Sequence, residues 1–292
     1  MSRIEAPSKA VSSSQWRRAW RTFKKNKLAI ASLVVLLLII GACIFAPLLT
    51  PHTSYEQNLN NRMQPPSREH WFGTDRLGRD VFSRLLYGGR TTLLMSVTAM
   101  AITAAIGGVI GMIAGYCGGK LDAVIMRVMD VFSAIPAMLM AIAVVAFIGI
   151  GAEKSMIAIA VAAIPAYVRL LRTVVLGVMA SPYVEAARAL GAGPLRIIFR
   201  HVIHNILAPM IVHITTGIAD AILIFSSLGY LSLAVQPPNP EWGNMVVAGM
   251  SSYYTGWFTL VYPCGAIALT ILALNMLGDG LRDALDPLMS RS

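Results

Sequence analysis

The chain has 292 residues, of which 56% are hydrophobic and only 13% are charged, and its formal net charge at pH 7 is +10. Soluble domains carry about a quarter charged residues, so this composition excludes an ordinary soluble domain. The mean hydropathy of +0.66 indicates a protein that lies largely in an apolar medium.

A basic segment, residues 1–27, opens the chain and contains eight Lys and Arg residues. An excess of Lys and Arg is typical of the cytoplasmic side of a membrane, so this segment predicts a cytoplasmic N-terminus. The basic face is expected to contact anionic membrane lipid. We expect no nucleic acid among the partners.

Apolar runs long enough to cross a membrane follow this segment. A hydrocarbon core about 30 Å thick requires roughly 20 apolar residues in a helix, and runs without strict alternation exclude a β-barrel. The sequence therefore predicts an all-α integral membrane protein with six transmembrane helices. Their expected positions are about 28–49, 91–116, 126–150, 156–178, 202–234 and 259–280. The first run is too long for a signal peptide and is predicted to stay as an anchor.

The remaining segments are assigned to the two sides of the membrane. Residues 50–90 are predicted to be an extracytoplasmic loop, in which GTDRLGRDVFSRLLYGG has the helical spacing of an amphipathic helix. Residues 91–281 are predicted to be a five-helix core, and residues 282–292 a cytoplasmic tail.

Four glycines recur every four residues in the second span, which places them on one face of a helix. Such a face lets two helix backbones approach closely within lipid. It is interpreted either as a contact within this chain or as an interface with another subunit. The four are Gly107, Gly111, Gly115 and Gly119.

A proline-rich segment, QPPNPEWG, follows the fifth span and is predicted to be an outer loop, which leaves room for a re-entrant piece. Four aromatic residues in and after it are predicted to form an interfacial belt. They are Trp242, Tyr253, Tyr254 and Trp257.

Residue combinations that indicate catalysis or a bound cofactor are missing from the sequence. It contains no HExxH, GxSxG or Walker A motif, and its three cysteines are isolated. His201 and His204 share a helix face without a Cys or carboxylate at ligand spacing. We therefore expect no catalytic residue, no cofactor and no metal on this chain, so any energy must come from a partner.

A short polar element, residues 181–195, separates two apolar spans. Ser181 is predicted to cap a helix that begins at Pro182 and carries Glu185 in its first turn. Gly191 can take the left-handed conformation that ends a helix. The element is interpreted either as a surface amphipathic helix or as a docking element for a cytoplasmic protein.

The segment EAARALG, from Glu185 to Gly191, resembles the cytoplasmic EAA signature of permease subunits in bacterial ABC importers. Over about residues 16–288 the chain resembles the smaller permease type of the dipeptide/oligopeptide/nickel class. The pattern departs from the signature at His204, where proline is usual, so we expect the helix to bend at Pro209 instead. The further matching segments are HWFGTDRLGRDVFSRLLYGGRTTLL, GMIAGYCGGKLDAVIMRVMDVFSAIP, QPPNPEWGNM and NMLGDGLRDALDPL.

This resemblance implies the type I ABC importer permease fold with a cytoplasmic coupling helix at about residues 181–195, in a bacterial cytoplasmic (inner) membrane with both termini cytoplasmic. It implies a non-catalytic subunit whose partners are a second homologous permease, two ATP-binding cassette ATPase subunits and an extracytoplasmic substrate-binding protein. ATP and Mg would be bound by the ATPases. The residues implied to contact the ATPase are Glu185, Ala186, Ala187, Arg188 and Gly191.

The implied function is the import of di- or oligopeptides. Nickel or metal-chelator complexes, glutathione and D-amino-acid dipeptides remain open as cargo. A secondary transporter or channel is a remote alternative, because it needs ionisable residues throughout its spans, whereas Asp220 is the one carboxylate in the fifth span. An intramembrane charge faces the bundle interior or a cavity, so Asp220 is expected to line the pathway or to pair with the partner permease.

Overall fold

The computed structural model describes residues 20–285. Most of the basic N-terminal segment and of the C-terminal tail therefore lies outside the described residues. A short helix at 20–25 comes first, a helical turn at Ala46–Leu49 follows α1, and a 3-10 turn at Leu59–Asn61 lies in the loop before α2. The principal helices are α1 (Lys27–Ile44), α2 (Val81–Cys117), α3 (Gly119–Ser133), α4 (Ala137–Ile148), α5 (Ala152–Met179), α6 (Pro182–Ala189), α7 (Pro194–Tyr230), α8 (Trp242–Met250) and α9 (Phe258–Leu285).

Five of these helices, α1, α2, α5, α7 and α9, are long and apolar enough to span a membrane. Helices α3 and α4 provide a sixth span if the pair is counted as one, although it is bent by 87°. The predicted third span, 126–150, is thus broken rather than straight. The break falls before Pro136, which lacks the N–H needed to continue the helix and disfavours helical backbone at Ile135. The predicted all-α membrane fold is confirmed.

Helix α2 begins at Val81, well before the predicted start of the second span at residue 91. Asp80 caps the helix, because its carboxylate accepts hydrogen bonds from the Ser83 N–H at 2.7 Å and the Ser83 hydroxyl at 2.8 Å. The polar residues at 81–90 are therefore the first turns of the long spanning helix and do not form a separate surface helix.

Residues 75–80 were expected to be helical, and that prediction is wrong. They form a turn closed by an antiparallel bridge between Thr74 and Asp80. The side chain of Asp75 accepts from the backbone N–H groups of Leu77 at 2.8 Å and Arg79 at 3.0 Å. Such local side-chain bonds compete with helix formation.

The glycine stripe of α2 packs against α5. A Cβ added at Gly111 would lie 2.8 Å from the Val168 carbonyl oxygen, and one at Gly115 would lie 2.7 Å from the Val175 Cβ. Gly107 likewise faces Tyr167. The two helices are in close backbone contact within this chain, and their contacts advance in the same direction along both. They therefore run parallel, so the start of α2 and the end of α5 lie at opposite ends of the bundle.

Gly119 does not belong to this stripe, so its predicted place on the shared face is wrong. Helix α2 ends at Cys117, and Gly118 takes a φ of +62°. Gly119 then begins α3 with a φ of +57°, and a Cβ added there would meet nothing within 4 Å. The chain reverses at these two glycines before a fourth stripe position can face α5.

Replacing Gly111 by alanine is expected to lower the free energy of unfolding by about 1–3 kcal/mol, because the added methyl would press on the α5 backbone. The matched control is Gly177→Ala in α5, where a Cβ would have nothing within 4 Å. Thermal unfolding in lipid nanodiscs can be followed by thiol labelling of buried Cys43, with exposed Cys117 and Cys264 replaced. Equal unfolding midpoints for the two variants would contradict the close packing.

The main core lies where α2, α5 and α7 meet, around Tyr167, Leu171 and Phe225, all of them fully buried. Helix α1 packs against α9 at Gly280, where a Cβ would lie 2.3 Å from the Ala29 Cβ. Helix α8 lies beside the start of α2 and also contacts α7 and α9. The bundle thus has one end that carries α8 and an opposite end that carries α6.

Candidate functional site

Helix α6 follows α5 almost directly and begins at Pro182. Proline suits this position, because an N–H in the first helical residue would have no partner within the helix. Ser181 does not cap α6 through its side chain, contrary to the prediction. Its hydroxyl instead donates to the carbonyl oxygen of Val178 in the last turn of α5. This bond holds the corner between α5 and α6.

The predicted coupling residues are on the open side of α6. Glu185, Ala186 and Arg188 are exposed and Ala187 is partly exposed, whereas Val184 is fully buried. The acidic residue is in the first turn and the basic one in the last, which suits both ends of the helix dipole. The helix is anchored by one apolar side chain and presents an open face that combines two charged side chains with two small ones.

The end of α6 is a Schellman motif built on Gly191, which has a φ of +81°. The Gly191 N–H donates to the Arg188 carbonyl at 2.9 Å, and the Ala192 N–H donates to the Ala187 carbonyl at 3.0 Å. These two bonds satisfy carbonyls that a helix end leaves unpaired. The predicted left-handed glycine is therefore present, and it sets the direction in which the chain leaves α6.

Sequence reasoning missed three apolar side chains beside this helix. Leu190 is 89% exposed, Leu195 70% and Phe199 69%. Arg196 and Arg200 lie among them and are also exposed. Apolar side chains grouped at a helix corner and rimmed by charge indicate a protein-contact surface. For Leu190 the signal in the sequence is an apolar residue directly before the helix-ending Gly191.

The start of α7 contains a π-helical turn, Ile198–Val202, that the sequence did not predict. Pro209 lies inside the continuous helical segment Ile203–Tyr230, so the helix has no break there, and the bend at Pro209 stays a prediction. π turns occur often at functional sites. Here the irregular turn lies between α6 and the spanning part of α7.

Two ion pairs join the bent α3–α4 pair to α5. The guanidinium of Arg172 donates to both carboxylate oxygens of Asp122, and that of Arg169 donates to Asp130 at 3.0 Å. Since these arginines are in the last part of α5, the bonds hold α3 at the end of the bundle that carries α6.

Asp220 is exposed on α7 in this single chain, and no ion pair involves it among residues 20–285. An exposed carboxylate in a spanning helix suits either a pathway lining or a contact with another subunit.

At the opposite end of the bundle, Glu241 caps α8 although it is fully buried. Its carboxylate accepts from the N–H groups of Gly243 at 2.7 Å and Asn244 at 2.9 Å, and from the Thr92 hydroxyl at 3.3 Å. Burial raises the pKa of Glu241 to about 7, while these hydrogen bonds act in the opposite direction. The cap ties α8 to α2.

Trp242 does not belong to the aromatic belt, contrary to the prediction. It is 1% exposed, and its indole N–H donates to the Leu85 carbonyl at 2.9 Å. Tyr253, Tyr254 and Trp257 remain at least half exposed. The tryptophan is buried because it directly follows the capping glutamate and is carried with it against α2.

Glu241 should make stability depend on pH. Its folded pKa of about 7 exceeds the ordinary 4.5, so the folded chain keeps this proton between those values while the unfolded chain loses it. The stabilisation of the folded chain by this proton is full below pH 4.5 and is lost as the pH rises through 7. Glu241→Gln should flatten the pH dependence of the free energy of unfolding between pH 4.5 and 7. Glu153→Gln, at an exposed site, should leave that dependence unchanged. Parallel profiles for wild type and Glu241→Gln would contradict the assignment.

No group of three or more His, Cys, Asp and Glu side chains within residues 20–285 is arranged to hold a metal ion.

Two family models match the chain. Residues 107–291 match the binding-protein-dependent transport system inner membrane component, and residues 14–66 match the N-terminal TM domain of oligopeptide transport permease C. Together these segments contain α6 and, apart from residues 81–106 of α2, all of the spanning helices.

Curated relatives match along most of their length. The chain is 44% identical over 276 residues to the dipeptide transport system permease protein DppC of Alkalihalophilus pseudofirmus, covering 94% of this chain and 91% of the relative. It is 42% identical over 276 residues to the glutathione transport system permease protein GsiD of Escherichia coli O6:K15:H31, covering 93% and 90%. It is 40% identical over 264 residues to the probable D,D-dipeptide transport system permease protein DdpC of Escherichia coli K12, covering 90% and 89%.

Among solved structures, the chain resembles an inward-facing form of the MetNI methionine ABC transporter with a TM-score of 0.56. The likeness covers 69% of this chain and 96% of that chain, at 18% sequence identity. At this identity it shows a shared fold alone.

Proposed function

The chain belongs to the family of binding-protein-dependent transport system inner membrane components, and from this premise we propose that it forms half of the translocation pathway of an ATP-driven peptide importer. It is a non-catalytic, multi-pass inner-membrane permease of the dipeptide/oligopeptide class. The observation that carries the proposal is the exposed face of α6, which lies between the two spanning helices α5 and α7.

The proposed partners follow from the two ends of the bundle. A second homologous permease completes the pathway. Two ATP-binding cassette ATPase subunits, which bind ATP and Mg, lie on the cytoplasmic side next to α6. An extracytoplasmic substrate-binding protein delivers cargo at the end that carries α8. Both termini of the chain are cytoplasmic in this arrangement.

Helix α6 acts as a lever in this proposal. Its eight residues form a rod about 12 Å long that inserts into a cleft on one ATPase. Glu185 and Arg188 make polar contacts, while Ala186 and Ala187 allow close approach. The Ser181 bond to α5 and the Schellman end at Gly191 make α6 move with the spans, so closure of the ATPases rocks the bundle.

Peptides are the proposed cargo, because relatives named for dipeptide transport match over nearly the whole chain. Glutathione and D,D-dipeptides, which appear in the names of other relatives, are the alternatives, as are nickel and metal-chelator complexes. Asp220 is proposed to line the pathway or to meet the second permease.

Purification from native membranes tests this function. A tagged chain should co-elute with a second permease and ATPase subunits, and the reconstituted complex should take up dipeptides when its binding protein and ATP are present. Elution of the chain alone under gentle solubilisation, or uptake without ATP, would overturn the proposal.

A further inference from the structure

Two buried arginines share one carboxylate at the end of the bundle that carries α8. Arg79 is 9% exposed and Arg84 is 6% exposed. The Arg79 Nε donates to Asp75 Oδ2 at 2.7 Å, and the Arg84 Nε lies 3.7 Å from the same oxygen. One negative charge therefore faces two positive charges.

The other contacts of this cluster do not supply the missing negative charge. The Arg84 Nη1 donates to the neutral carbonyl oxygens of Ser54 at 2.9 Å and Pro238 at 3.3 Å. The nearby carboxylate of Asp80 is engaged by His70 Nδ1 at 2.9 Å and by the α2 cap. Burying an unpaired charge is costly unless a counter-ion compensates it.

A cavity of about 50 Å³ opens directly at this cluster. Such a volume accommodates a few water molecules or one small anion and is too small for a whole peptide. The hydroxyls of Ser252 and Thr259 donate to backbone carbonyls of Ala248 and Gly256. The donors left for a ligand are therefore arginine N–H groups. The polar lining comprises Asp75, Arg76, Arg79, Arg84, Ser252 and Thr259.

Arg79 is the residue best placed to hold a ligand. Its only side-chain hydrogen bond within residues 20–285 uses Nε, which leaves both terminal nitrogens for the cavity. Arg76, by contrast, donates through Nη1 to the Ser251 hydroxyl at 3.0 Å. A guanidinium with two free terminal nitrogens matches the planar geometry of a carboxylate.

We propose that this cavity binds one carboxylate group, which pairs with the guanidinium of Arg79 and neutralises the excess charge of Arg79 and Arg84. The group can be the C-terminus of a small peptide or an acidic side chain of another protein, since both present the same two oxygens. The proposal depends on the charge and shape of this chain alone and does not rest on the transport function.

Acetate is the probe for the first test, with the full chain in lipid nanodiscs. Exchanging chloride for acetate at constant ionic strength should raise the unfolding midpoint of the wild type in a saturable way. Arg79→Met should remove this dependence, while Asp75 and Arg84 remain as a balanced pair that lets the variant fold. Arg68→Met, at an exposed site outside the cavity, should respond as the wild type does.

A second test needs no variant. Saturation-transfer NMR on the wild type should detect bound acetate methyl protons. Dialanine and N-acetyl-glutamate α-amide, which keeps its side-chain carboxylate, should displace acetate. N-acetyl-glutamine α-amide, which has no carboxylate, should not. The better competitor identifies the source, dialanine a peptide C-terminus and the glutamate compound an acidic side chain.

The proposal is overturned if chloride or phosphate stabilises the chain as well as acetate does. It is also overturned if Arg79→Met keeps the acetate response, or if the glutamine compound displaces acetate equally well.

Discussion

Replacing Gly191 by aspartate is expected to lower transport-coupled ATPase activity at least tenfold while the chain still inserts and assembles. Gly191 has a φ of +81°, a conformation that costs other residues roughly 1–2 kcal/mol. The variant would either relax the Schellman end or place a negative charge on the docking face. Either effect would weaken the proposed contact of α6 with an ATPase without disturbing a buried contact, because a Cβ there meets nothing within 4 Å.

The chain offers a matched control two residues further on. Gly193 also has open space around its Cβ, but its φ is −69° and it caps the next helix, a position where aspartate is favourable. Gly193→Asp should therefore keep coupled activity within about twofold. Glu185→Lys, which reverses the first-turn charge of α6, should lose coupling as Gly191→Asp does. Normal coupling in Gly191→Asp and Glu185→Lys would refute the lever.

Replacing Gly243 by alanine is expected to cause a large loss of stability at the end of the bundle that carries α8. The added Cβ would lie 2.0 Å from the Ser226 carbonyl oxygen and 2.7 Å from its carbon. These are backbone atoms of α7 and cannot rotate away, so α8 must lift from α7. That movement would break the buried cap of Glu241, and the expected loss is 3 kcal/mol or more, at the upper end of overpacking effects (about 1–3 kcal/mol).

Gly265→Ala is the control, because it adds the same methyl to α9 with nothing within 4 Å. Alanine favours helix over glycine by about 1 kcal/mol, so this variant should match or exceed the wild type. The thiol-labelling assay on Cys43 reports both variants. A Gly243→Ala midpoint equal to that of Gly265→Ala would show that α8 does not pack as described.

The length of the apolar runs was enough to locate the long helices, since the thickness of the hydrocarbon core sets both the run length and the helix length. It could not place the start of α2 at Val81, because Arg84 and its neighbours read as polar until the fold buries them. Run length also predicted one straight third span. The structure instead has two helices, α3 and α4, which are bent by 87° at a break that contains Pro136. Such bends depend on which neighbouring helices accept them.

The candidate site was predictable where a local rule applies. Gly191 was expected at a helix end because few other residues adopt a positive φ there. Ser181 does not cap α6 because its hydroxyl points back to the Val178 carbonyl of the preceding helix, to which it donates. The burial of Trp242 and the arginine cavity depend on contacts between distant segments, which periodicity in one sequence does not report.

Photocrosslinking tests most directly whether α6 contacts an ATPase. A benzophenone amino acid in place of Leu190, which is 89% exposed, should crosslink to an ATPase subunit in the assembled complex. The same group in place of Tyr254, which is 100% exposed near the α8 end, should not. Crosslinks to the ATPase from position 254 and none from position 190 would contradict both the coupling role of α6 and the orientation of the chain.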